Sequence, residues 1–255
     1  MEKLSKIGRY NFLAEPFHCD LNNNLFIGHL GNHLLNAADF HSSDRGYGMV
    51  YLNTIHRTWV LSRLVIELNQ IPKAYEKFIV ETWIDSAMRY FTSRNFKITN
   101  NDGRIFGYGK SIWAMIDTET RQPSDILSVR EGLINEYVDK DYPCPIVKPS
   151  RVKIDDNAEL VRTIETHYND VDINGHINSI KYIEHVLNLW DVDWYREHQI
   201  KRFEIAYTSE SHQGDSLSFY RTSSTDEENQ YNLKITRSKS GQEELETCRC
   251  KILFS

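Results

Sequence analysis

Two stretches of the chain repeat apolar residues with the period of a buried helix. Phe26, Leu30, Leu34 and Ala37 form one stripe, and Ile177, Ile180, Ile183, Leu187 and Trp190 form the other. Spacings of three and four residues place each set along one helix face. After each stripe the pattern changes to β-branched and aromatic residues, in Trp59 to Leu68 and Lys77 to Asp85, and again in Arg202 to Thr208 and Ser216 to Thr222. These runs predict strands.

The halves also resemble each other. Asn95-Phe96-Lys97-Ile98-Thr99 is close to Asn232-Leu233-Lys234-Ile235-Thr236, and each precedes a polar turn. A further strand-like run follows in both, Ile112 to Ile116 and Cys250 to Phe254. Upstream, Asp20-Leu21-Asn22-Asn23-Asn24-Leu25 aligns with Asp172-Ile173-Asn174-Gly175-His176-Ile177. Each half thus predicts a long helix followed by about four antiparallel strands. The class is α+β, because helices do not alternate with strands. Three of the six prolines fall in 142–149, which predicts a stiff linker there. The expected domains are 1–140 and 151–255, joined by a linker at 141–150.

Composition narrows the function. The chain has 255 residues, 40% apolar and 26% charged, with net charge −6. It has no basic run of the kind that binds nucleic acid, and no stretch of about 20 apolar residues to span a membrane. The first 17 residues carry charges throughout, so a cytosolic protein is expected. The cysteines, Cys19, Cys144, Cys248 and Cys250, have neither zinc-site nor disulfide-framework spacing. Cys248 and Cys250 read as one face of an ordinary strand. No metal or cofactor is called for.

The candidate chemistry lies in Asp172-Ile173-Asn174-Gly175-His176, just before the second helix. In an extended segment Asp172, Asn174 and His176 share one face while Val171, Ile173 and Ile177 point toward packing. Gly175 can relax the backbone at the turn into the helix. The helix N-terminus, with its unpaired amides, can hold a developing oxyanion. Asp or Asn alone before a helix is an ordinary cap, and a lone His is usually structural. The triple is harder to explain by capping. The first half has Asn24 at the histidine position. Glu210, at the end of a strand, has its counterpart near Ile71, so the acid is also confined to the second half.

Asp172, Asn174, His176, Asn178, Lys181 and Tyr182 resemble the D-x-N-x-H-x-N-N-x-K-Y signature of acyl-acyl carrier protein thioesterases, with Ser179 in place of the second asparagine. The spacing to Glu210 matches that family's catalytic glutamate. Trp59-Val60-Leu61-Ser62-Arg63 and the run Ser111 to Arg121 resemble it in the first half. The likeness covers nearly the whole chain and implies two tandem hot-dog domains, each a long helix wrapped by an antiparallel sheet. It implies hydrolysis of fatty acyl thioesters, catalysis by Asp172, Asn174, His176 and Glu210, and acyl carrier protein as partner. Plant members carry a cysteine after the glutamate, where this chain has Ser211. With no organelle transit peptide in sight, a bacterial cytosolic member is the simplest reading, and homodimerisation is left open.

Several roles remain open on these residues. Glu210 or His176 is the base for water. Asn174 holds the carbonyl or the water. Asp172 fixes the loop, biases the histidine charge or, as a minority reading, attacks directly to form an anhydride. The resemblance places the acyl pocket in the first domain along the helix near Phe26, with Trp59 and Trp113 as lining candidates. Arg57 and Arg63 are candidates for carrier docking. Rivals are an acyl-coenzyme A thioesterase, a hydratase or dehydratase on acyl thioesters, and a non-catalytic acyl-binding module.

Overall fold

The computed structural model describes residues 3–147, 152–154, 157–224, 227–239 and 243–255. Two units emerge, Met1–Val147 and Lys148–Ser255. The first contains β1 (Gly8–Leu13), α1 (Ile27–Asp44), the short α2 (Met49–Asn53), β2 (Arg57–Leu68), β3 (Lys77–Ala87), β4 (Phe91–Asn100) and β5 (Ile105–Asp117). Its antiparallel strands lie in the order β1-β3-β4-β5-β2. The second contains β6 (Glu159–Glu165), α3 (Ser179–Leu187), α4 (Val192–Glu197), β7 (Ile200–Tyr207), β8 (Ser216–Ser223), β9 (Gln230–Ser238) and β10 (Leu245–Phe254). Its order is β6-β8-β9-β10-β7, the same topology strand for strand. The repeated pentapeptides occupy equivalent strands, β4 and β9.

Each unit has five strands where about four are expected. The additional ones, β1 and β6, precede the helix and stand at the sheet edge. An edge strand buries little, and β6 has no buried residue, so no alternation marks it in the sequence. The helices differ as well. Phe26 is the N-cap of α1 and is exposed, so the buried stripe begins at Ile27 and continues through Leu30, Leu34 and Ala37. The helix sits close on the sheet: a Cβ at Gly109 would stand 3.3 Å from Leu34 Cδ1. The second helix is shorter than expected and half as long as the first. It has 9 residues against 18 in α1. Asp191 accepts from Trp194 N at 2.9 Å and starts α4 instead. Trp190 therefore lies beyond the helix, with its ring 5.1 Å from that of Phe254 and 5.2 Å from that of Tyr231. Fewer helical residues in the second half contribute to the unequal spacing of the repeats.

The expected linker is partly structural. Tyr142 donates to Glu81 at 2.8 Å and sets its ring against Trp83, while Ile146 is buried. These residues pack on the first unit; residues 148–151 lie outside the described part of the chain. Cys248 and Cys250 both point into the second core on β10, and burial pushes both thiols up. They behave as small apolar side chains rather than nucleophiles.

The first core also buries a titratable group. His41 of α1 donates through Nε2 to the Lys6 carbonyl at 2.9 Å and is fully enclosed. Burial, reinforced by the Arg94 and Arg45 guanidiniums, moves it from 6.5 down to about 2. The folded protein thus keeps His41 neutral where the unfolded chain takes up a proton. Stability is full above about pH 6.5 and falls as pH drops from there toward 2, with a limiting slope of about 1.4 kcal/mol per pH unit. Urea denaturation of wild type and His41→Asn between pH 7 and 4.5 should show a shallower decline in the variant. Parallel declines would mean that His41 does not titrate on unfolding.

Candidate active site

The segment from Asp172 to His176 is a closed turn, not an extended run. Asp172 N donates to His176 O at 2.8 Å, and Gly175 N donates back to Asp172 O at 3.0 Å. Gly175 takes φ +81°, which a residue without Cβ adopts freely. The Asp172 carboxylate sits inside this turn. Its Oδ1 accepts from Asn174 N at 2.8 Å and from His176 N at 3.4 Å. The expected shared face is therefore absent: Ile173 projects into solvent, 89% exposed, at the tip of the turn. Local carboxylate-to-amide bonds outcompete the extended conformation.

The same turn exists in the first unit. Asp20 N donates to Asn24 O, Asn23 N to Asp20 O, and Asp20 Oδ1 accepts from Asn22 N and Asn24 N at 2.8 and 2.9 Å. Asn23 stands at φ +61° where Gly175 does. Asp20 builds this turn in a unit that has no histidine there. The equivalent Asp172 thus has a structural task that is independent of chemistry.

A second loop, after β7, meets the turn. Ile177 N donates to Ser211 O at 2.9 Å, and in the first unit Leu25 N donates to Pro72 O at the same distance. This clamp brings His176 Nε2 to 3.2 Å from Glu210 Oε2. Their side chains are 23% and 38% exposed, so water can reach a pair that is still partly sheltered. Asn174 is exposed, and no hydrogen bond to its side chain is present among the described residues. Its amide is available to donate to a carbonyl oxygen.

Much of the helix N-terminus is already engaged. Asn178 accepts from Ile180 N at 2.8 Å and caps α3. The amides of Ile177, Asn178 and Lys181 are also engaged, with Ser211 O, Asp170 O and Asn178 O. Asn178 O and side chain together close the first turn. Ser211 is fully buried beside Tyr182, whose phenol is held protonated by burial. Its hydroxyl is enclosed rather than presented to solvent. Among the remaining candidates, Trp59 donates to Tyr47 O at 3.1 Å, and Trp113 donates to Ser111 Oγ at 2.8 Å. Arg57 is tied to Ser128 Oγ at 2.8 Å, and Arg63 is half-buried on β2.

Three contributors escape a reading of the motif alone. Asp170 is buried, accepts from His167 N and lies 3.1 Å from His185 Nε2, which anchors the turn to α3. Asp215, also buried, accepts from His212 N at 2.9 Å and lies 3.7 Å from Arg237. The ring of His212 stands 5.0 Å from that of His176, edge to face. Aligning the two halves through the clamp would have drawn attention to His212, opposite Lys73.

Residues 8–136 match the N-terminal domain of acyl-ACP thioesterases, and residues 153–254 match their C-terminal domain. The chain belongs to the acyl-ACP thioesterase family. A crystal structure of an acyl-ACP thioesterase from Bacteroides thetaiotaomicron is 48% identical, covers 98% of both chains and superposes with a TM-score of 0.89. The 12:0-ACP thioesterase of Umbellularia californica, 19% identical over 100% of this chain and 99% of that one, shares the fold with a TM-score of 0.84. The chloroplastic oleoyl-acyl carrier protein thioesterase 2 of Arabidopsis thaliana is 24% identical over 85% of this chain and 63% of its own length. The chain spans about half the length of the curated relatives it matches. Both units have the hot-dog arrangement of this thioesterase family. Among the described residues, no helix is long and apolar enough to cross a membrane.

The geometry separates two roles for Asp172. If it organises the turn, Asp172→Asn retains a side-chain oxygen for the same amides and keeps turnover within about tenfold, whereas Asp172→Ala loses more. If it attacks the thioester, Asn is as damaging as Ala. Steady-state kinetics on the two variants decides between them. Ser211→Ala should stay within about threefold of wild type, because its hydroxyl does not reach the site; a loss near 10² would reinstate it as a reacting group.

Proposed function

We propose that this thioesterase hydrolyses the bond between a fatty acyl group and the phosphopantetheine arm of acyl carrier protein, releasing free fatty acid and ending acyl elongation. The observation that carries the reading is the contact of His176 Nε2 with Glu210 Oε2 at 3.2 Å beside the open Asn174 amide. The family match makes a thioester its natural substrate.

In the proposed reaction, water adds to the thioester carbonyl carbon. Its proton passes to the Glu210 carboxylate, which shares charge with His176 across their contact. The Asn174 amide donates to the oxyanion of the tetrahedral intermediate. Collapse re-forms the carbonyl and breaks the C–S bond. The departing sulfur takes the proton back from the Glu210–His176 pair. A thiol of pKa about 8.5 leaves readily, so nucleophile activation and charge stabilisation carry most of the work. Asp172 holds Asn174 and His176 through their backbone amides, and no covalent acyl-enzyme is required.

The acyl chain gains about 0.8 kcal/mol for each CH₂ buried, so pocket depth sets chain length. The proposal keeps that pocket in the first unit, along α1, and retains the cytosolic, bacterial setting expected from the sequence. Self-association stays an open arm of it.

Thiol release from matched acyl-carrier-protein and acyl-coenzyme A substrates tests the reading. Carrier-bound chains should turn over faster, and His176→Ala, Glu210→Gln and Asn174→Ala should each lose about 10² or more in kcat. Full turnover in both His176→Ala and Glu210→Gln would remove the assignment; preference for coenzyme A would move it to the other carrier. Raising ionic strength from about 0.05 to 0.3 M should slow the carrier-bound substrate more than a small thioester, because docking of two charged proteins is screened. An equal response of both substrates would argue against charge-guided docking.

A further inference from the structure

The clamp between turn and loop fixes a residue-by-residue correspondence between the units. Ile177 N on Ser211 O matches Leu25 N on Pro72 O. Glu210 therefore corresponds to Ile71, and His212 to Lys73. In the first unit Lys73 Nζ donates to Asn24 Oδ1 at 2.7 Å and to Asn22 O at 3.2 Å. Asn24 is the counterpart of His176, and Asn22 that of Asn174. The residue at this loop position thus reaches back to the turn in both units: as an ammonium on an amide in one, as an imidazole on an imidazole in the other.

His212 is also held more firmly than an exposed loop residue needs to be. Its N–H donates to Asp215 Oδ2 at 2.9 Å, and its carbonyl accepts from Thr166 Oγ1 at 2.7 Å. Asp215 and Thr166 are both buried. The His212 backbone is fixed on both sides while its ring stays at the surface, edge to face with His176, with an interplanar angle of 67°. His176 meets Glu210 through Nε2 and His212 through its ring, two different contacts on one imidazole.

We propose that His212 is a positioning residue for the hydrolysis: its edge-to-face contact holds the His176 imidazole on Glu210. This rests on the proposed hydrolase reading. The contact restricts rotation of the His176 ring, which otherwise has only the Asp172-bound backbone and one carboxylate to orient it. Orientation of the pair is needed at the step where water loses its proton, so loss of the contact acts on kcat rather than on substrate binding.

The test uses the full-length enzyme with lauroyl- and palmitoyl-acyl carrier protein. His212→Ala should lower kcat about tenfold and leave KM within about twofold. His212→Phe, which keeps a ring and has no ring nitrogen, should recover most of the loss. The ring C–H proton signals of His176 should shift in His212→Ala, because the neighbouring ring current is removed. Unchanged kcat in His212→Ala overturns the positioning role, as does a Phe variant as slow as Ala. Wild-type enzyme that releases no thiol from any acyl thioester overturns the hydrolase reading instead, and it is recognised on the unmutated protein.

Discussion

The carboxylate of Asp172 is the constraint on which the rest of the site depends. By accepting from the amides of Asn174 and His176, it closes a turn that would otherwise expose two unsatisfied donors. The closed turn aims Asn174 outward and delivers Ile177 N to the Ser211 carbonyl. That one backbone bond joins the loop carrying Glu210 to the turn carrying His176. Both loops are in turn anchored by buried acids, Asp170 toward α3 and Asp215 toward β9. Four acids therefore surround the site: Asp170, Asp172 and Asp215 hold its backbone, and Glu210 meets the His176 imidazole.

Electrostatics and accessibility divide the labour between interior and surface. The titratable groups most displaced by burial, among them His41, Tyr207 and Cys248, are inside the cores, where burial keeps them uncharged. They stabilise one ionisation state of the fold and do no chemistry. The His176–Glu210 pair stands at the rim, partly exposed to water. The second unit thus pairs a dry core, with Cys248 and Cys250 acting as apolar packing, and a partly hydrated edge that carries His176 and Glu210.

Much of this was legible before any coordinates. The repeated pentapeptides located β4 and β9, and the apolar periods located α1 and α3, because core helices and inner strands imprint their periodicity on the sequence. The edges β1 and β6 left no such imprint, since a strand with one neighbour and little burial has no alternation to show. The end of α3 was misread for a similar reason: Trp190 continues the period, yet its partners are Tyr231 and Phe254, far away in the chain. At the site, the residue types and the confinement of His176 and Glu210 to one half could be read directly. The conformation could not. Alternating polar residues fit a strand face and an Asp-closed turn equally well, and only the bonds of Asp172 to its neighbours' amides distinguish them. His212 was hidden because its meaning comes from a contact with His176 across two loops, not from a motif.

The duplicated turn has a consequence for how this chain can change. In the first unit Asp20 preserves the mount while Asn24, Ile71 and Lys73 occupy the places of His176, Glu210 and His212. Geometry and side-chain chemistry have come apart: the turn is built twice, and the side chains proposed to react, His176 and Glu210, occur in one copy. Under the proposed reaction, damage to the second mount displaces Asn174 and His176 themselves, whereas damage to the first disturbs the entry to α1. The first copy therefore retains a ready-made frame in which a second centre of reactivity could arise without a new backbone.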